Sequence, residues 1–182
     1  MLQVNFNPFP EITTQRLMLK EITEQDARVL FDLRSNDKVM QYIDRPRPDT
    51  LQDAIDLIQK MKDMKDKGEG ITWGIYLKNE PEIKIGNIGL FRIIHAHYRA
   101  EIGYLLDPQY HRQGIMLEAM QAIIDYGFHQ LQLHSIEANI NPANNASRQL
   151  LIKAGFVKEA YFREHYYFDG QFIDSEIYSL LK

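Results

Sequence analysis

A strand-like run, one glycine and a helical run follow each other between residues 100 and 131, and this order constrains the fold strongly. The run "AEIGYLLD" predicts a strand, and after Gly114 the apolar residues Met116, Leu117, Met120, Ile123, Ile124, Gly127, Phe128 and Leu131 recur at helical spacing. The first N–H groups of a helix have no partners within it and favour a bound anion. The segment therefore predicts either an anion site, such as one for phosphate, or a plain strand-to-helix turn.

The remaining segments predict alternating strands and helices. A strand at "RLMLKEI" (16–22) precedes two helices that begin at the capping boxes Thr23-x-x-Asp26 and Thr50-x-x-Asp53. Strands follow at "ITWGIYLK" and "KIGNIGLFRI", separated by the turn "NEPE", and later come the strand "SIEANIN", a short helix from Asn144 to Ala154 and a hairpin around Asp169–Gly170. This order predicts an α/β domain around a mostly antiparallel sheet. No repeat or linker interrupts it, so residues 1–182 are expected to form a single domain.

Composition excludes several classes of function. The chain has no cysteine, which rules out disulfides and thiolate nucleophiles. Its net charge is −4, and its basic residues are scattered among acids, so a nucleic-acid partner is not expected. No run is long and apolar enough for a membrane span, and "MLQVNFNPFPEITT" lacks the features of a signal peptide. We therefore expect a cytoplasmic protein without a membrane partner.

Four segments, taken in order, resemble one family. Residues 111–116 are similar to motif A of the GNAT superfamily of N-acetyltransferases, Gln/Arg-x-x-Gly-x-Gly/Ala. The segments "TTQRLMLKEITEQDARVLF", "NPANNASRQLLIKAGF" and "FREHYYFDGQFIDSEIYSLL" resemble the RimJ/RimL-like branch, which acetylates N-terminal amines of ribosomal proteins. His111 stands where the motif has Gln or Arg, and Met116 where it has a small residue. Main-chain N–H groups survive both changes, and whether the cofactor approaches closely near Met116 is left open.

The resemblance implies a fold and a cofactor site. A GNAT fold has a mixed, mostly antiparallel twisted sheet of about seven strands flanked by about four helices, in which a splayed strand pair holds acetyl-CoA. The main-chain groups of Tyr104, Leu105 and Leu106 are then expected to pair with the pantetheine arm and to polarise the thioester carbonyl. The amides from Arg112 to Leu117, which include those of Gln113, Gly114, Ile115 and Met116, are expected to hold the pyrophosphate beside His111.

Asn144 and Ser147 match the Asn-x-x-Ser of the branch. By resemblance, Asn144 contacts the cofactor and Ser147 donates a proton to the departing thiolate. A structural interpretation stays open beside this one, because Asn is a good N-cap residue and Ser147 stands at the position of its capping partner.

The attacking amine must lose a proton, so the reaction needs a base. Glu101 is our first choice, because it lies on the strand expected to position the thioester, and Glu137 is the second. Either residue can instead be a solvated strand carboxylate, and Tyr104 can contribute or simply pack. Arg112, Arg148 and Lys153 are candidates for balancing the phosphate charge or are solvated surface residues.

A metal site is not expected. His95 and His97 share no recognisable spacing with an acidic ligand, and the motif H-E-x-x-H is missing. A serine hydrolase is likewise not indicated, because no G-x-S-x-G occurs.

These observations predict an acetyl-CoA-dependent N-acetyltransferase that transfers the acetyl group directly to a primary amine, such as the N-terminal amine of a ribosomal protein, without an acyl-enzyme. A small amine, a polyamine or a drug is an alternative acceptor. A non-catalytic CoA-binding or regulatory module is the alternative from another class, and it is favoured by His111 and Met116. The chain is expected to be a monomer or a homodimer, with the aromatic hairpin "YFREHYYF" as a possible dimer surface.

Overall fold

The sheet organises the chain. A computed structural model describes residues 2–182, and it contains eight strands in the order β1-β2-β3-β4-β5-β6-β8-β7. They are β1 Ile12–Thr13, β2 Leu17–Glu21, β3 Ile71–Leu77, β4 Glu80–Ile94, β5 Arg99–Leu106, β6 Ser135–Ile140, β7 Val157–Phe168 and β8 Gln171–Leu181. Neighbouring strands are antiparallel except β5 and β6, which are parallel. The predicted mixed, mostly antiparallel sheet is confirmed, and its additional strand, β1, is too short to show a periodicity.

Five α-helices flank the sheet: α1 Ala27–Ser35, α2 Asp37–Met40, α3 Leu51–Asp66, α4 Ile115–Asp125 and α5 Asn145–Lys153. The capping box before α3 is confirmed, because Thr50 N donates to Asp53 Oδ2 at 2.8 Å and Asp53 N donates to Thr50 Oγ1 at 3.4 Å. The expected turn "NEPE" is shorter than predicted, since β4 already begins at Glu80. The helix expected to reach Leu131 changes at Tyr126 into a π-helical turn, where Leu131 N bonds to Tyr126 O.

Two hydrophobic clusters hold these layers together. The larger one joins the sheet to α4 and α5 through residues such as Trp73, Met120 and Leu151, all of which are fully buried. The smaller one contains Ile22, Ala27, Leu30 and Ile58 and packs α1 against α3. Because α4 is anchored along its length in the larger cluster, the position of its N-terminus relative to β5 is fixed.

The hairpin of β7 and β8 closes one edge of the sheet. Its turn residues Asp169 and Gly170 have φ of 47° and 82°, the left-handed conformation that a two-residue Asp-Gly turn predicts. Several aromatic side chains of the hairpin are exposed, among them Tyr161, Phe162, Tyr167 and Phe172. Among residues 2–182, no helix combines the length and apolar character needed to span a membrane.

Candidate active site

The sheet opens between β5 and β6. These strands pair through only three residue pairs, from Arg99 with Ser135 to Glu101 with Glu137. Farther along, β5 remains paired with β4 up to Leu106, and β6 remains paired with β8 up to Ile140. The two inner edges beyond Glu101 therefore have no ladder partner, which leaves peptide groups available to a ligand. The expected splayed strand pair is present.

The segment between β5 and α4 presents unpaired amides. Gly114 is the N-cap of α4 with φ of 76°, a left-handed conformation that favours glycine, and Arg112 is also left-handed with φ of 59°. Within the described chain, the backbone N–H groups from Arg112 to Leu117 find no protein acceptor. These amides, together with the helix dipole, form a cradle suited to an anion.

The two departures from the family motif leave this cradle open. The His111 ring bonds through Nε2 to Leu106 O at 3.0 Å, so it ties the segment to the end of β5. The Met116 side chain is 8% exposed and packs in the larger hydrophobic cluster. Met116 thus lies on the apolar face of α4, as its helical spacing predicts, and its amide remains at the helix end.

A clamp from the N-terminal region holds the first turn of α4. Thr14 Oγ1 donates to Glu118 Oε1 at 2.6 Å, and Arg16 Nε donates to Glu118 Oε2 at 2.7 Å. Arg16 Nη1 also donates to Gln113 O at 2.9 Å. Burial raises the pKa of Glu118, yet the hydrogen bonds from Thr14 and Arg16 outweigh it and hold the pKa below its usual value. No local sequence pattern predicts this clamp, because its members are about a hundred residues apart.

Tyr104 and Ser147 form a partly buried hydroxyl pair. Tyr104 lies on β5 beyond the last β6 pair, and its hydroxyl is 2.5 Å from Ser147 Oγ on α5. Burial raises the pKa of Tyr104 to about 12, although the hydrogen bond with Ser147 acts in the opposite direction. The phenol therefore stays protonated at neutral pH, so it can donate a proton but is a poor base.

Asn144 caps α5. Its Oδ1 accepts from Ser147 N at 3.0 Å, so the predicted capping role is confirmed. Its side-chain NH2 group has no hydrogen-bond partner among residues 2–182, which leaves two donors for a ligand. A cofactor contact by Asn144 stays a prediction.

The two candidate bases are both paired with arginines. Arg92 Nη1 donates to Glu101 Oε2 at 2.9 Å, and Arg99 Nη1 donates to Glu137 Oε1 at 2.9 Å. Arg92 has φ of 49° at a bulge in β4, and no local pattern predicts this partner of Glu101. Because side chains alternate along a strand, Glu101 and Tyr104 lie on opposite faces of β5. The structure thus places Glu101 and the Tyr104–Ser147 pair on either side of the opening.

The cations considered for the phosphates differ in their surroundings. Arg148 Nε donates to the buried Glu176 at 3.1 Å, and its Nη2 donates to Pro142 O at 2.5 Å. Arg148 is therefore engaged inside the protein and is not available to a phosphate. Arg112 lies in the amide segment and is exposed, and Lys153 lies at the end of α5. Within the described residues, no group of three or more His, Asp or Glu side chains is arranged for a metal ion.

An opened parallel strand pair beside an amide-lined helix end suits a long ligand that carries a phosphate at one end. The chain belongs to the GNAT acetyltransferase family, whose acetyltransferase (GNAT) domain matches residues 16–157. The predicted family is thereby confirmed.

Bacterial relatives agree with this assignment. The Bacillus subtilis uncharacterized N-acetyltransferase YoaA is 38% identical over 174 residues, which are 96% of this chain and 98% of YoaA. The [ribosomal protein uS5]-alanine N-acetyltransferase of Escherichia coli is 27% identical, with 95% of this chain and 91% of that protein covered. The E. coli spermidine N(1)-acetyltransferase is 26% identical, with 85% and 80% covered.

Solved structures share the fold. A GNAT-family acetyltransferase from Bacillus anthracis superposes with a TM-score of 0.84 at 27% identity, covering 94% of this chain and 98% of that one. RimL, a ribosomal L7/L12 alpha-N-protein acetyltransferase in complex with coenzyme A, gives a TM-score of 0.86 at 22% identity, with 94% and 98% covered.

Proposed function

We propose that this protein transfers the acetyl group of acetyl-CoA to a primary amine by direct attack, without an acyl-enzyme. The observation that carries the proposal is the opening of β5 and β6 beyond Glu101, next to the unpaired amides from Arg112 to Leu117. A strand edge suits the amide groups of a pantetheine arm, and a helix end suits a pyrophosphate.

Acetyl-CoA would lie along this opening. The main-chain groups of Tyr104 to Leu106 pair with the pantetheine and polarise the thioester carbonyl. The amides from Arg112 to Leu117 hold the pyrophosphate, and the free NH2 of Asn144 reaches the same ligand from α5. Preset N–H groups of this kind stabilise a developing oxyanion better than mobile water does.

Proton transfer would use both faces of β5. The amine nitrogen bonds to the thioester carbon and the carbon–sulfur bond breaks. The proton of the amine passes to Glu101, directly or through a water molecule, and Oε1 is the atom free for it because Oε2 is held by Arg92. On the opposite face, the Tyr104–Ser147 pair donates a proton to the departing thiolate. The separation of these groups keeps the base from neutralising the acid.

The N-terminal amine of a protein is our proposed acceptor, which the similarity to the uS5-alanine acetyltransferase supports. A polyamine is the second candidate, because a spermidine acetyltransferase is also similar. The reaction is proposed to take place in the cytoplasm. The non-catalytic alternative loses its main support, because Met116 is buried and His111 points at Leu106.

Release of CoA thiol from acetyl-CoA in the presence of amine acceptors tests the function. We expect amine-dependent release with N-terminal peptides, and a loss of about a hundredfold in kcat/KM with an alkaline shift of its pH profile in Glu101→Gln. Glu137→Gln is the matched control, since Glu137 has an equivalent arginine partner but ranks second as a base. Unchanged kinetics in Glu101→Gln would exclude this base. Acetyl-CoA binding without turnover on any peptide or polyamine would favour the non-catalytic module.

A further inference from the structure

One hydrogen bond joins the two sides of the opened sheet on the face that carries Glu101. The hydroxyl of Tyr166 on β7 donates to Asp44 Oδ2, and Asp44 lies between α2 and α3. Within the described residues 2–182, it is the only hydrogen bond that links residues 2–106 directly to the hairpin of β7 and β8. The opening between β5 and β6 lies between these two parts, so the bond crosses it.

The register of the strands places Tyr166 on the same face as Glu101. Paired residues of neighbouring strands share a face, and Glu101 pairs with Glu137, which in turn pairs with Ser179 of β8. Every second residue of β8 from Ser179 back to Ile173 lies on that face, and Ile173 pairs with Tyr166. The bond therefore spans the opening on the side from which an acceptor reaches Glu101.

The hairpin holds its end of this bond in a fixed position. The ring of His165 packs against that of Tyr166 with centroids 6.1 Å apart, and against that of Phe162 at 4.8 Å. His165 Nδ1 lies 2.5 Å from Oγ of Ser175, which is fully buried. Burial, together with the hydrogen bond and the charge of Asp44, raises the pKa of Tyr166. Its hydroxyl therefore remains a hydrogen-bond donor at neutral pH.

The helices hold the other end of the bond. The helices α1 and α3 pack together in the smaller hydrophobic cluster, and Asp26 at the start of α1 accepts from the Tyr76 hydroxyl of β3 at 2.6 Å. Thr50 and Asp53 form the capping box of α3 directly after residues 41–50. Because both ends are anchored, the bond limits how far residues 41–50 and the hairpin can move apart.

We propose that Asp44 and Tyr166 are positioning residues for the amine acceptor, because their bond sets the width of the opening on the Glu101 side. The inference rests on the proposed acetyl transfer. An acceptor that enters on this side lies between residues 41–50 and the hairpin, with its amine at Glu101 and the acetyl group in the opening. The bond favours a slender acceptor, such as a peptide N-terminus or a polyamine, over an amine on a broad folded surface.

Steady-state kinetics with an N-terminal peptide test the inference. Tyr166→Phe deletes only the hydroxyl, and we expect it to raise the KM for the peptide about tenfold. The kcat and the KM for acetyl-CoA should stay nearly unchanged, because the bond positions the acceptor and touches no reacting atom. Tyr167→Phe is the matched control, since Tyr167 is the next residue of β7 and is exposed.

Conservative replacement of Asp44 separates the bond from general damage to the fold. Asn keeps an oxygen that accepts from Tyr166, so Asp44→Asn should raise the KM for the peptide only about twofold to threefold, whereas Asp44→Ala should raise it about tenfold. An unchanged KM in Tyr166→Phe, or equal effects of Asp44→Asn and Asp44→Ala, would overturn the inference while the proposed function stands. A wild type that acetylates no peptide or polyamine would overturn both.

Discussion

At the scale of single residues, the Tyr104–Ser147 pair is the proposed proton donor to the departing thiolate. Ser147 is placed by the cap of α5, since Asn144 binds its backbone N–H, and Tyr104 is placed by the part of β5 that has left β6. Their hydroxyls meet at 2.5 Å in a partly buried setting. A proton on this pair is therefore held ready at neutral pH, where neither group ionises.

Removing either hydroxyl should slow the chemical step. We expect Tyr104→Phe and Ser147→Ala each to lower kcat by about tenfold to a hundredfold, with a smaller change in the KM for acetyl-CoA, because a general acid acts in the transition state. The double variant should be little worse than the singles, since the hydroxyls act as one unit. Steady-state kinetics with Ser35→Ala, an exposed serine at the end of α1, provide the control. Additive losses in the double variant would show that the pair does not act together.

Gly114 is expected to matter both for the backbone conformation before α4 and for acetyl-CoA binding. We expect Gly114→Ala to lower the free energy of unfolding by about 1 kcal/mol, because φ of 76° is unfavourable for other residues. It should also weaken acetyl-CoA binding about tenfold, since any relaxation of this φ moves the first amides of α4. Gly170→Ala is a matched control, because Gly170 has φ of 82° but lies at the hairpin tip. A Gly114 variant with normal affinity would contradict the amide cradle.

Local residues of the site could be predicted from the sequence, and distant ones could not. Gly114 and Asn144 were found because a helix start depends on its immediate neighbours. The clamp of Arg16 on Glu118 was not found, because no local pattern connects residues that meet only after folding. The burial of Met116 could also be predicted, because its helical spacing places it on the apolar face of α4.

At the scale of elements, a buried carboxylate joins α5 to the final hairpin. Glu176 on β8 is 4% exposed and accepts hydrogen bonds from Arg148 of α5, Lys158 of β7 and Tyr178. Burial raises its pKa, but the hydrogen bonds from these partners outweigh burial and hold the pKa of Glu176 below its usual value. The network fixes the helix that presents Asn144 and Ser147.

The acid stability of the protein should depend on this network. Because the pKa of Glu176 is lower in the folded state, its stabilisation is present at neutral pH and is lost as the pH falls through the folded value. We expect Glu176→Gln to lower the free energy of unfolding by about 3 kcal/mol at pH 7 and to make its decline in acid less steep. Denaturant unfolding across pH measures both effects. Glu159→Gln, an exposed neighbour, should change neither; equal pH dependence in the wild type and Glu176→Gln would contradict the role of the network.

At the scale of the whole molecule, the order of elements determines where the sheet can open. A parallel pair within an otherwise antiparallel sheet requires a crossover, and here α4 supplies it between β5 and β6. The sequence predicted this order from its periodicities and turn residues. The opening itself was expected only from the family resemblance, and the length of the remaining β5–β6 ladder, three residue pairs, was not predicted.

We propose that the opening between β5 and β6 and the end of α4 together hold acetyl-CoA. Calorimetric titration of the purified protein with acetyl-CoA is the decisive test. We expect a single site with a dissociation constant in the micromolar range, weakened by Gly114→Ala and unchanged by Gly170→Ala. The absence of binding at millimolar acetyl-CoA would contradict the cofactor site, and the proposed acetyl transfer with it.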